Sequence, residues 1–357
     1  MSLEDLRKDI DDIDTRVVKL LAERERAARK IGALKRKGNR QVHDAARENK
    51  VIEHVRQLAV KEDINPENVE RLYQMVMAAS RSVQGIEVAF QGQDGAYSQE
   101  AALNFFGNSV LTRPCETLDE VFKLVQEGGL PYGIVPVENS QEGSISRSYD
   151  LLLDADVMVC GETQIRVSHC LISNRGASMS SIKRIYSHPQ ALAQCQSYLR
   201  RLGCEIIPAY DTAGSVKMIK EKKILDGAAI ASARAAKIYD MKIIAREIED
   251  NPRNTTRFFI LSREDAPPSG DDKTSIVFLL KHKPGTLYQA LGAFAKRKIN
   301  LTKIESRPTR QKPWEYNFYL DFEGHRGDVA VQQTLAQLED ISLFLKVLGS
   351  YPKAKQI

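Results

Sequence analysis

The sequence has no run of about 18 apolar residues, the length a membrane-spanning helix needs, so no membrane partner is expected. Its opening, MSLEDLRKDIDDIDT, lacks the basic-then-apolar order of a secretory signal, and a cytoplasmic location is expected. Cysteine is scarce: the five residues Cys115, Cys160, Cys170, Cys195 and Cys204 are odd in number and never spaced CxxC. That usage argues against a disulfide framework and a zinc site and for reduced, mostly buried thiols. There is no GxSxG, no HExxH, no GxGxxG following a strand and no P-loop lysine. Hydrolase, metalloprotease, dinucleotide and nucleotide-triphosphate signatures are therefore missing. The net charge of +5 is spread without a basic tail or an aromatic-interleaved patch, so nucleic acid is not an expected partner.

What is present is the composition of a soluble globular protein, 42% hydrophobic and 28% charged over 357 residues, enough for two or three domains. Apolar residues recur at spacings of three and four from Leu3 to about Lys35, which predicts one long helix. A second helix is expected from Asp44 to about Lys61 and a third from Asn65-Pro66 onward. A helix as long as the first cannot bury its stripe alone in a small domain; it calls for partner helices or a second chain. From Gly85 to about Glu264 short β-branched runs alternate with helical stretches, an α/β pattern with largely parallel sheets in two lobes around a cleft. DAPPSGDDK reads as a linker, and residues 274–350 follow βαββαβ order, a ferredoxin-like α+β domain. The fold class is thus multidomain: all-helical 1–84, two-lobed α/β 85–264, ferredoxin-like 274–350.

Polar residues interrupt the helical stripes. Arg24 falls where an apolar residue is due, and Lys35 lies almost on the same face. Asp44 and Glu48 share a face of the second helix, and Ser80 and Gln84 continue the stripe of Val76 on the third. Any one of these could reach water from the stripe's edge. As a set of cations, carboxylates and neutral donors they suit a dianionic ligand, because buried charges need partners. With LRKDIDDID, LLAERERAARKIGALK, HDAARE and SRSVQ in place, the block resembles the all-helical chorismate mutase family. That resemblance implies Arg24 and Lys35 as substrate anchors, Arg7 as an arginine lent by a second subunit, and Asp44, Glu48, Ser80 and Gln84 as hydrogen-bonding residues. It also implies a homodimer.

In the α/β region polar clusters stand at strand ends: GAYSQEAA, VPVENSQEGSI, VSHCL, YSHPQAL, DTAGS and NTTRFF. Singly each suits a helix cap or a turn; strand ends facing a cleft are also where α/β folds place ligands. In this order they resemble the prephenate dehydratase family. Carried over, Glu138, Asn139, Ser187, Gln190, Thr256, Arg257 and Phe258 would line the site, with Thr256 carrying the chemistry and Asn254 and Thr255 forming a turn. Arg257 suits a substrate carboxylate or a structural salt bridge. His169 and His188 are expected to orient groups rather than transfer a proton. Two departures stand out: Gln93, where the family often has Pro, and Asp211, where Ser is common.

The last block, with KPGTLYQAL, IESRP, KPWEYNFYLD and KVLGSYP, resembles phenylalanine-binding ACT domains, with Thr286 where that family usually has Ala. The implied effector pocket lies between Gly285, Thr286 and Leu287 at a helix start and Glu305, Ser306, Arg307 and Pro308. Three such blocks in series resemble the bifunctional chorismate mutase/prephenate dehydratases, which implies chorismate and prephenate as substrates, phenylalanine as effector, and neither metal nor organic cofactor. The competing reading is a non-enzymatic amino-acid sensor whose helices only dimerise; the polar set on the helical interior speaks against it.

Overall fold

The structure is a computed structural model that describes residues 2–37, 45–82, 86–108, 110–309 and 315–354. The chain divides into two compact units, Met1–Glu87 with Leu103–Leu111, and Val88–Ala102 with Thr112–Ile357.

In the first unit, α1 (Leu3–Lys37), α2 (Ala45–Lys61) and α3 (Pro66–Ser82) are the three expected helices. Asn65 starts α3: its side-chain oxygen accepts the backbone N–H groups of Glu67 and Asn68, orphans at any helix start, while Pro66 needs no such partner. Ala28, Val55, Ala59 and Met77 form a small interior, but Leu3, Leu6, Ile10, Ile13, Val17 and Leu20 along α1 stay exposed.

After α3 the chain continues with β1 (Glu87–Gln91), α4 (Tyr97–Phe106), β2 (Leu111–Cys115), α5 (Leu118–Gln126), β3 (Tyr132–Asn139), β4 (Gly143–Ser144), α6 (Ser146–Asp154) and β5 (Met158–Arg166). A second lobe follows: β6 (Cys170–Ser173), β7 (Arg184–Ser187), α7 (Pro189–Gln194), α8 (Gln196–Leu202), β8 (Glu205–Pro208), α9 (Thr212–Glu221), β9 (Gly227–Ala231), α10 (Ala233–Ile238) and β10 (Lys242–Ala245). The chain then returns as β11 (Thr255–Ser262) to lie between β3 and β5 in the order β2-β1-β3-β11-β5. The second sheet runs β10-β6-β9-β7-β8.

The expectation of largely parallel sheets is corrected. Pairs β1·β3, β7·β8 and β7·β9 are parallel, but β11 runs antiparallel to both neighbours, and β6 does so against β9 and β10. No helix intervenes between β5 and β6 or between β10 and β11, where the chain passes from one sheet to the other.

The last domain comprises β12 (Asp272–Leu280), α11 (Thr286–Lys296), β13 (Leu301–Pro308), β14 (Tyr316–Glu323), α12 (Val329–Ile341) and β15 (Ser342–Pro352), with sheet order β13-β14-β12-β15. This is the expected ferredoxin-like order. Ile276, Phe278, Phe294, Leu320, Phe322 and Leu338 pack between its sheet and helices. All five cysteines are free, and four of them are buried. Among the described residues no helix is long and apolar enough to cross a membrane.

Candidate active site

In the helical unit Arg24 and Ser80 come together. The Arg24 guanidinium donates to the Ser80 hydroxyl and, at 3.4 Å, to the Val76 carbonyl, which also takes the Ser80 proton at 2.9 Å. Ser80 is buried and Glu48 half-buried, whereas Arg7 is exposed on α1. The Lys35 side chain, Asp44 and Gln84 lie outside the described residues.

In the α/β region β11 carries three of the candidate residues, Thr256, Arg257 and Phe258. Successive residues of a strand point to opposite faces, and the registers place Thr256 opposite Asn139 and Arg257 opposite Glu138 on β3. The sequence expectation of one continuous lining therefore divides into two groups.

On one face the side chains are neutral. Asn139 accepts the backbone N–H groups of Gln141 and Glu142 at 3.0 and 3.2 Å through Oδ1. Those groups only donate, so the other end of the amide is its nitrogen. That nitrogen donates to Asn254 Oδ1 at 2.7 Å and to Thr256 Oγ1 at 3.0 Å. All three side chains are buried, Asn254 completely. The Thr256 oxygen is thus an acceptor already, and among the described residues its proton goes to no acceptor. Phe258, two residues on, is buried.

On the other face the contacts are ionic. Arg257 donates at 2.7 Å to Glu162 on β5, at 2.7 Å to Asp321 on β14 and at 3.1 Å to the Tyr351 hydroxyl on β15. Of the two readings of Arg257, the salt bridge is the one the structure realises. Burial works against the Asp321 carboxylate, yet the Arg257 charge and hydrogen bonds from Ser275 and Arg257 hold its pKa below the ordinary value. Glu138 pairs with Lys303 of β13 at 3.1 Å and, more loosely, with Arg257 at 3.7 Å. Both Glu138 and Arg257 thus face the ferredoxin-like domain.

Ser187 and Gln190 belong to the second lobe. Ser187 is fully buried and gives its proton to the Ile230 carbonyl of β9 at 2.6 Å, while the Gln190 N–H donates to His188 Nδ1, which caps α7. His169 bridges the lobes: Nε2 meets Gln194 Oε1 at 2.9 Å, and Nδ1 meets the Tyr97 hydroxyl at 3.0 Å. Because the Gln194 nitrogen is committed to Glu142, its oxygen faces the ring and takes a proton from Nε2, while the Tyr97 hydroxyl donates to the Ser168 carbonyl at 2.6 Å. Burial pushes the His169 pKa down, against the hydrogen bond to Gln194 and the Glu249 charge.

Two further contacts close the lobes on each other. Ser232 Oγ donates to the Gly95 carbonyl at 2.7 Å, and a Cβ on Gly95 would lie 2.7 Å from Ala235 Cα, so at φ +93° only glycine fits. The two departures from the dehydratase pattern touch each other: the Gln93 N–H donates to Asp211 Oδ2 at 3.2 Å, while Asp211 Oδ1 caps α9 through Ala213 N–H at 2.8 Å. Proline at 93 would have no N–H to offer, and serine at 211 no second oxygen.

In the last domain Gly285, Thr286 and Leu287 line a pocket of about 700 Å³ with Lys281, Tyr316 and Phe318. Gly285 adopts φ +84° to start α11, and the Thr286 hydroxyl is spent on the Lys281 and Lys283 carbonyls. The expectation that Glu305 to Pro308 form the opposite wall is corrected for a single chain. β13 alternates strictly, so Ser306 and Pro308 are exposed while Glu305 and Arg307 turn to the dehydratase-like lobe. Glu305 accepts from Ser144 Oγ on β4 and pairs with Lys303 at 3.3 Å; Arg307 donates to Ser146 Oγ at 2.9 Å and to Asp150 at 3.2 Å.

Asn254 closes a turn through its N–H to the Asn251 carbonyl at 3.3 Å, as expected, and its side chain also joins this cluster, which the sequence did not show. The available signal was its position two residues before Thr256, which places both on one face of an extended chain.

Three family patterns match the chain in order: chorismate mutase type II over residues 6–85, prephenate dehydratase over 88–266 and the ACT domain over 274–340. The bifunctional chorismate mutase/prephenate dehydratase of Aquifex aeolicus (strain VF5) is 40% identical over 358 aligned residues, covering 99% of this chain and 98% of the relative. Arogenate dehydratase/prephenate dehydratase 2, chloroplastic, of Arabidopsis thaliana is 45% identical, covering 75% of this chain and 73% of its own. Among solved structures, the prephenate dehydratase of Arthrobacter aurescens in complex with L-Phe superposes with a TM-score of 0.69 at 31% identity, covering 75% of this chain and 90% of that one.

Proposed function

This chain belongs to the bifunctional chorismate mutase/prephenate dehydratase family, and from that premise we propose that it converts chorismate to prephenate, and prephenate to phenylpyruvate, under feedback inhibition by phenylalanine. The first step is a rearrangement without a covalent enzyme intermediate, so catalysis consists of holding the reactive geometry and stabilising charge on the breaking ether oxygen. Arg24, already seated against Ser80, and Arg7 of a second copy would clamp the two carboxylates, bidentate where geometry allows. Lys35 and Gln84 would donate to the ether oxygen, and Asp44 and Glu48 would hold the ring hydroxyl. The exposed apolar stripe of α1 supports a homodimer in which a second copy covers it. Lys35→Ala is expected to lower mutase kcat by on the order of 10², the cost of a lost oxyanion-type donor; full mutase activity would contradict the assignment.

In the second step the bond to the ring carboxylate breaks, its electron pair flows into the ring, and the C4 hydroxyl departs as hydroxide that takes a solvent proton. Aromatisation supplies the driving force, and the enzyme must chiefly ease the departure of hydroxide. The observation that carries this reading is the Thr256 hydroxyl, held as an acceptor by Asn139 and left with a proton to offer.

Phenylalanine would seat its carboxylate at the start of α11 of one copy and its ammonium at Glu305 of a second. What supports the sensor role is that Glu305 shares Ser144 and Lys303 with the dehydratase elements β4 and Glu138. An ammonium competing for Glu305 therefore perturbs groups next to β3. Feeding chorismate to the full chain should yield prephenate, then phenylpyruvate, and added phenylalanine should slow the second step. Absence of phenylpyruvate from supplied prephenate or arogenate would refute the dehydratase reading; unchanged rates with phenylalanine would refute the sensor.

A further inference from the structure

Starting from the dehydratase reading above, we propose that Asn254 is a second catalytic donor, its Nδ2 hydrogen-bonding the same departing oxygen as the Thr256 hydroxyl. The orientation of every group in the cluster follows from the one before it. Backbone N–H groups of Gln141 and Glu142 fix the Asn139 oxygen, so the Asn139 nitrogen must face Asn254 and Thr256. Because that nitrogen donates at 2.7 Å, Asn254 presents its oxygen to it, and its own Nδ2 is left over. That Nδ2 is shielded from solvent and has no hydrogen-bond partner among the described residues.

A buried amide donor without an acceptor is costly and rare in folded proteins. Here it stands in the same cluster as the uncommitted Thr256 proton, since both side chains bond one nitrogen of Asn139. Two surplus donors anchored on one rigid amide form a receptor for an oxygen that gains negative charge. The departing C4 hydroxyl is such an oxygen. Asn254 gives only hydrogen bonds and keeps its protons; the hydroxide formed as the C4–O bond breaks takes its proton from solvent.

Asn254→Asp separates donation from scaffolding, because it keeps an oxygen for Asn139 and removes the free N–H. On prephenate, its kcat should fall by about 10² with KM within about threefold, the pattern of a lost donor used in the transition state. Chorismate turnover and the thermal midpoint report whether the chain is folded. Wild-type kcat in Asn254→Asp, or a loss confined to KM as charge repulsion of the substrate would produce, overturns the proposal. Should the aspartate variant misfold, Asn254→Ser carries the same test, with kcat loss at near-constant KM as the supporting result and wild-type kcat as the contrary one. Wild-type enzyme without prephenate turnover would instead signal failure of the dehydratase reading itself.

Discussion

The two faces of β11 lie one residue apart in sequence and differ in every physical respect. One presents Asn254 and Thr256 to Asn139, neutral groups with donors to spare. The other presents Arg257 to Glu162, Asp321 and Tyr351, charges that are fully matched. On β11 the spare donors suit a ligand, whereas the matched charges form a joint. The face with spare donors is the one suited to chemistry, and the saturated face fastens the ACT domain to the same strand.

The comparison breaks most sharply at Thr256. Thr256→Val should lower dehydratase kcat by about 10² to 10³, the range for a lost transition-state donor, while mutase turnover in the same chain survives. Asp321→Asn attacks the other face: leaving Arg257 buried with a lost partner should cost about 3 kcal/mol in chemical unfolding, with kcat on prephenate little changed while the chain is folded. Equal loss of kcat in both variants would erase the distinction between the faces.

Acid titration sharpens it further. The folded pKa of Asp321 lies below its ordinary value of 3.8, so its contribution to stability is present above that value and is lost as pH falls through the folded pKa. The stability gap between wild type and Asp321→Asn should therefore hold at neutral pH and close in acid. A gap that closes between pH 5 and 7 would assign the linkage to another group.

The smallest effect concerns the contact between Gln93 and Asp211. Gln93→Pro should cost about 1 kcal/mol by removing the N–H that Asp211 accepts, and the loss should shrink when Asp211→Ser is added. Strict additivity of the two changes would show that the contact carries no coupling.

Much of this was legible in the sequence where the cause is local. The three helices follow from their apolar spacing, and α3 starts at Asn65-Pro66 because the cap chemistry is contained in those two residues. The ferredoxin-like order follows from alternating runs. The residues Asn139 and Thr256 were identified through family resemblance, and the local pattern alone could not choose between Thr255 and Thr256. What was not legible depends on partners far along the chain. Nothing near Arg257 announces Asp321 or Tyr351, and nothing near Glu138 announces Lys303. The antiparallel return of β11 escaped because the alternation of strands and helices hides the two crossings that lack a helix. The side-chain role of Asn254 escaped because a turn beside a proline does not reveal its burial in the sequence.

The most direct measurement is kcat on prephenate for Thr255→Val and Thr256→Val in the full chain, neighbours that a strand sends to opposite faces. The account predicts a loss of about 10² or more for Thr256→Val and a change within about twofold for Thr255→Val. Equal losses, or the larger loss at Thr255, would contradict it.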